Sequence, residues 1–217
     1  MYVHDDQPRR HPAPGDRRAV ILAAAARVIA RHGVRGLRVT AVAAEADVST
    51  ALVYYHFTDR AGVLRRTMEF ISDRAERYTT GHGTAAAPLP PRAELENALL
   101  LELQDTPEVR ENSTAWGELR ATAVFDPGLR EALADARRVW TGELVELLGR
   151  VDRTAPATAL AAAAERLTAT LEGLSTRWLS EVLPLTHARE LMREAVAVEL
   201  AHLRHAARTR GSTRIFD

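Results

Sequence analysis

The stretch Val39-Thr-Ala-Val-Ala-Ala-Glu-Ala-Asp-Val-Ser-Thr-Ala-Leu-Val-Tyr-Tyr-His-Phe57 decides how the 217-residue chain is read. Its apolar positions Val42, Ala43, Ala46, Val48, Val53 and Phe57 recur at helical spacing on both sides of Asp47. Ser49, Thr50, Tyr54, Tyr55 and His56 point elsewhere. The pattern is that of a helix, a tight turn and a second short helix. Ala43 and Ala44 are small enough to let two helices approach closely. Asp47 stands where the turn calls for a left-handed backbone, which Asp tolerates better than most residues. Ser49 or Thr50 is placed to cap the second helix.

Working outward, Ala19, Val20, Leu22, Ala23, Ala26, Val28, Ile29 and Ala30 predict an earlier helix, capped by Asp16 and stopped by Gly33. With helices near 39–46 and 50–56 this makes a three-helix head. Asp59 then caps a long helix through Val63, Leu64, Met68, Phe70 and Ile71 to about Tyr78. Gly81, Gly83, Pro88, Pro90 and Pro91 make 79–91 a connector. Helices follow near 93–104, 107–124, 128–151, 156–180 and 186–208, separated by Phe125-Asp-Pro-Gly128 and Leu183-Pro-Leu-Thr186. No run alternates with period two, so the expected fold is all-α. It divides into an arm (1–15), a helix-turn-helix domain (16–62) and a second helical domain (63–217).

Composition narrows the function classes. Net charge is zero, yet residues 1–66 carry eleven arginines against six acids while the remainder carries the compensating acidic excess. The basic end is also the end with the motif, which suits contact with phosphate; a chance excess on a solvated surface is the alternative. The chain has no cysteine, so disulfide and thiolate chemistry are excluded. No apolar run reaches the roughly 18 residues of a membrane span. The polar, Pro- and His-containing start has no apolar core of the secretory kind, and a cytoplasmic protein is expected.

Enzyme chemistry finds little support. Glu199 and His202 have the spacing of a di-iron ligand pair, but the motif occurs once and two further carboxylates are missing. His202 and His205 lack a clear third ligand. Glu143 and Glu146 read as a solvated face. There is no nucleophile elbow and no phosphate-binding glycine loop, so no catalytic residue, metal or cofactor is expected. Trp116, Phe125, Trp140 and Trp178, with Thr122, Thr170 and Arg177, suit a small, partly apolar molecule held between helices. The same aromatics could equally be core. A helical-bundle enzyme and a helical dimerisation module without DNA binding remain the alternatives.

The order of helix 1 with Gly33, then Val39, Val42-Ala43, Ala46-Asp47-Val48-Ser49, Val53-Tyr54-Tyr55-His56-Phe57, Asp59-Arg60 and Val63-Leu64 resembles the N-terminal domain of TetR-family transcriptional regulators. The resemblance covers about residues 16 to 66. Leu171-Glu-Gly-Leu-Ser-Thr-Arg-Trp-Leu179 is similar to the penultimate, dimer-forming helix of many members. It implies a homodimer, paired through helices at about 156–180 and 186–208, that binds a palindromic double-stranded operator as a repressor. It also implies release by a small-molecule effector. Helix 3 would enter the major groove, with Ser49 and Thr50 near base edges, Tyr55 against a thymine methyl or a phosphate, and Tyr54 and His56 at phosphate-contacting positions. Arg60 would meet the backbone from the next helix, and Arg9, Arg10, Arg17 and Arg18 would either add contacts or form a solubilising tail. Two departures stand out. Arg38 replaces the usual capping Thr, so a phosphate contact falls to Arg38 or Thr40; Asp47 replaces the usual turn Gly.

Overall fold

Proline and short polar side chains set where several helices begin. Pro91, Pro107 and Pro127 occupy first turns, where a missing N–H costs nothing, and Thr106 and Asp126 accept hydrogen bonds from Val109 and Gly128. The structure, a computed structural model, describes residues 14–80 and 89–213, with side-chain surroundings for 17–75 and 89–205. Among these it has nine helices and no strand: α1 (Pro14–Gly36), α2 (Val39–Glu45), α3 (Thr50–Phe57), α4 (Arg60–Thr80), α5 (Pro91–Leu101), α6 (Pro107–Ala123), α7 (Pro127–Val151), α8 (Ala157–Leu179) and α9 (Leu185–Thr213). The all-α expectation holds. Helix α1 begins ahead of Asp16, α4 runs past Tyr78 and α9 past Arg208. Most of the expected connector, with Gly81, Gly83 and Pro88, lies outside the described residues, as do Arg9 and Arg10.

Helix α1 buries Ile21, Leu22, Ala24, Ala25, Ala26, Val28 and Ile29, so it is enclosed on most sides by α6, α4 and α2. Each fully buried Ile or Leu contributes about 1.5–3 kcal/mol. At Gly33 the backbone turns to φ 69°, ψ 171°, breaking the regular helix where the sequence places its stop. The core of the head includes Val42, Ala43, Val53 and Phe57, and continues without a break through Leu64, Met68 and Ile71 of α4 to Ala115 and Leu119 of α6 and Leu129 of α7. Packing therefore runs straight across 62–63, the boundary read from the sequence, which falls in the first turn of α4.

A second core joins α5, α7, α8 and α9 through Leu95, Leu99, Leu144, Leu167, Leu171, Met192, Val196 and Leu200. Here Arg166 donates from Nε and Nη2 to both oxygens of Glu199, at 2.7 and 2.6 Å. Glu199 is thereby committed to an ion pair between α8 and α9, which accounts for its burial without any metal chemistry. Arg189 of α9 donates to the carbonyls of Leu100 and Leu103, satisfying the end of α5. No helix among the described residues is long and apolar enough to cross a membrane.

Candidate DNA interface and ligand cavity

The recognition unit is built by local chemistry. Arg38 precedes α2 in an extended conformation, and its side chain makes no capping bond. Glu45, near the end of α2, accepts from Arg27 Nε and Arg31 Nη2, both at 2.6 Å, which ties α2 to α1. These two guanidinium hydrogen bonds hold the Glu45 carboxyl below its ordinary range. The turn closes through the Val48 amide on Ala43 O at 3.0 Å, with Asp47 at φ 53°. That is the left-handed conformation the sequence calls for. Ser49 Oγ then accepts from Leu52 N at 3.2 Å and caps α3, resolving the choice between Ser49 and Thr50.

Val53 and Phe57 anchor α3 in the core, so the opposite face must point outward. Tyr55 is 81 % exposed and Tyr54 52 %. Thr50 and Thr40 are exposed, and His56 is half-buried with its ring edge-on to Tyr55 at 5.1 Å. Thr40, Ser49, Thr50, Tyr54, Tyr55 and Arg38 thus present hydroxyls, rings and one guanidinium from two adjoining helices. Tyr54, like Tyr55, is on the surface. Arg18 lies over the Phe57 ring, 5.7 Å from its centroid.

Arg60, expected to meet the DNA backbone, is exposed and also holds the neighbouring loop. Its Nε donates to Leu37 O at 2.9 Å and its Nη2 to Val34 O at 2.5 Å. It braces the loop between α1 and α2, with two guanidinium nitrogens occupied by backbone carbonyls. Asp59 Oδ1 accepts from Gly62 N and starts α4, and a Cβ on Gly62 would sit 2.2 Å from Phe57 O, so only glycine fits there.

Behind the head, α4, α6, α7 and α8 surround a cavity of about 450 Å³. Trp116 and Trp140, both expected as ligand groups, line it. The other five lie elsewhere. Trp178 is core, 4 % exposed beneath the Arg110 guanidinium, and Phe125 projects from the α6–α7 corner at 87 % exposure. Thr122 and Thr170 donate their hydroxyls to the Glu118 and Arg166 carbonyls of their own helices. Arg177 is exposed, because the cavity face of α8 is set by Thr168, Leu171, Glu172, Ser175 and Thr176 at i, i+3 and i+4 spacing. Carboxylates at Glu69, Asp73, Glu102, Asp135, Glu143 and Glu172 outnumber the guanidiniums of Arg120, Arg137 and Arg138 in the lining. Glu143, read from the sequence as solvated, is half-buried in this wall, whereas Glu146 is exposed. Arg120 pairs with Glu172 at 3.1 Å, Arg138 with Asp135 at 2.5 Å, and Arg137 with Glu165. No group of three or more metal-ligating side chains occurs among the described residues.

Comparison with known proteins follows the same division. Residues 21–67 match the family model for bacterial regulatory proteins of the tetR family, and residues 91–201 match that for the C-terminal part of BetI-type transcriptional repressors. The HTH-type transcriptional regulator BetI of Burkholderia mallei is 29 % identical over 187 residues, covering 86 % of this chain and 90 % of that protein. A TetR-family regulator structure from Rhodococcus sp. is 40 % identical with a TM-score of 0.76, over 85 % of this chain and 98 % of that one. A transcriptional regulator from Saccharomonospora viridis, solved in complex with choline, shares the fold with a TM-score of 0.72 at 22 % identity, over 85 % and 97 % of the two chains.

Proposed function

The chain belongs to the TetR family of bacterial transcriptional regulators, and from that premise we propose that it is a cytoplasmic, homodimeric repressor released from its operator by a small organic cation. The operator is palindromic, because two copies related by a two-fold axis place two α3 helices about one turn of DNA apart. Exposed Tyr55 on α3 supports reading of the major groove, and Arg38, Thr40, Ser49, Thr50, Tyr54 and His56 supply the flanking contacts. Pairing falls to α8 and α9. The outer side of α8 exposes Ala162, Ala169 and Gly173, small residues that admit a second helix closely.

The cavity carries the effector reading. Two tryptophan rings line it, and six carboxylates, of which Glu69, Glu172 and Asp135 pair with Arg66, Arg120 and Arg138, outnumber the three arginines of the wall. An ammonium or other organic cation is the ligand class this lining favours. The choline held by a regulator of the same fold makes choline the first compound to try.

Operator fragments recovered by selection from genomic DNA supply the test. The purified chain should bind them as a dimer, and members of a quaternary ammonium panel should raise its melting temperature while weakening binding. A panel in which stabilising cations leave DNA affinity unchanged would overturn release by a cation.

A further inference from the structure

Helix α6 faces two ways. At 100° per residue, Asn112, Ser113, Trp116, Gly117 and Arg120 fall within an arc of about 140° that lines the cavity, and Glu118 lies about 170° from its centre. On that far side Glu118 Oε2 accepts from the Val34 amide at 3.1 Å, across 84 residues of sequence. Val34 follows the break at Gly33, whose φ of 69° leaves its neighbour's amide outside the regular α1 ladder. A Cβ on Gly33 would meet Glu118 Oε2 at 2.8 Å, so glycine is needed both for the backbone angle and for the approach of this carboxylate. Arg60 holds the same loop from α4 through the carbonyls of Val34 and Leu37. Ala115 and Leu119 of α6 add apolar contact with the head core.

We propose that Glu118 is a positioning residue: by accepting the Val34 amide it ties the loop ahead of α2 to the helix that walls the cavity, so that filling the cavity displaces the DNA-reading head. A charge-assisted bond of fixed direction resists sliding of α6 along α1, which the apolar contacts alone do not. This deepens the regulator reading and rests on it where operator binding is concerned.

The test uses the full-length chain on the selected operator. Glu118→Ala weakens binding by about tenfold, whereas Glu118→Gln, which keeps an acceptor for the amide, stays within about threefold. Gly117 lines the cavity, and a Cβ there meets nothing within 4 Å. Gly117→Phe therefore fills the space from α6 and stands in for an occupant. Alone it weakens binding by about tenfold; in the Glu118→Ala background it adds less than about twofold, because the tie is already cut. Wild-type affinity in Glu118→Ala, or two effects that simply multiply, would overturn the proposal. If the wild-type chain selects no operator, the DNA-binding reading fails on its own account. Hydrogen exchange at the Val34 amide then decides the tie, and it also serves if Glu118→Ala does not fold. Gly117→Phe should accelerate that exchange about tenfold with α8 unaffected, and an unchanged rate would contradict the link.

Discussion

Individual side chains carry separable jobs in the head. Phe57 and Val53 are buried, so the exposure of Tyr55 is enforced by the α3 anchor rather than by chance. Tyr55→Ala should keep the far-UV spectrum and the dimer while weakening operator binding at least about tenfold, measured by fluorescence anisotropy. Glu45 makes a contribution that depends on pH. Arg27 and Arg31 depress its carboxyl in the folded chain, so the stabilisation is present above the unfolded pKa and is lost as pH falls through the folded one. Glu45→Gln has nothing to lose on that path. Its melting temperature should fall less than that of wild type between about pH 7 and about pH 3, and equal falls would show that the pair does not stabilise the head. Asp47 sits in the left-handed region without the freedom of glycine. Asp47→Gly should change stability by less than about 1 kcal/mol, whereas Asp47→Val should cost about 1–2 kcal/mol by urea unfolding.

At the level of elements, periodicity, caps and prolines located each helix because those signals are local. The breaks at Gly33, Asp47 and Phe125-Asp-Pro-Gly128 all lie where backbone chemistry demands them. What lay opposite each helix was not legible. The loop contacts of Arg60 carry no sequence signal because its partners, Val34 O and Leu37 O, are backbone atoms more than twenty residues away. Glu118 had no signal at all, since its bond spans 84 positions. The cavity was legible only in part: Trp116 and Trp140 line it, but Phe125 is exposed and Trp178 is core, a difference set by neighbours that the residue type does not carry. Gly62 shows how tightly α4 is joined to α3. Gly62→Ala forces a contact of 2.2 Å with Phe57 O, and should cost about 2–3 kcal/mol in chemical denaturation.

For the whole molecule, two cores share α7, so the head and the cavity are not independent bodies joined by a linker. Under the proposed function, that continuity is what would let an occupied cavity and a bound operator favour different conformations. Dimerisation sets the remaining requirement, because one copy presents one α3. The bare side of Gly173 meets nothing within 4 Å, so Gly173→Arg should leave the protomer folded and shift sedimentation from dimer to monomer, with operator affinity falling alongside. A dimer that survives would move the interface off this face of α8. The central claim is that this chain reads DNA through α3, and anisotropy titration of the selected operator at two salt concentrations tests it most directly. The account predicts tight, salt-sensitive binding at two chains per operator, weakened at least about tenfold in Tyr55→Ala; equal binding of scrambled DNA, or wild-type affinity in Tyr55→Ala, would contradict it.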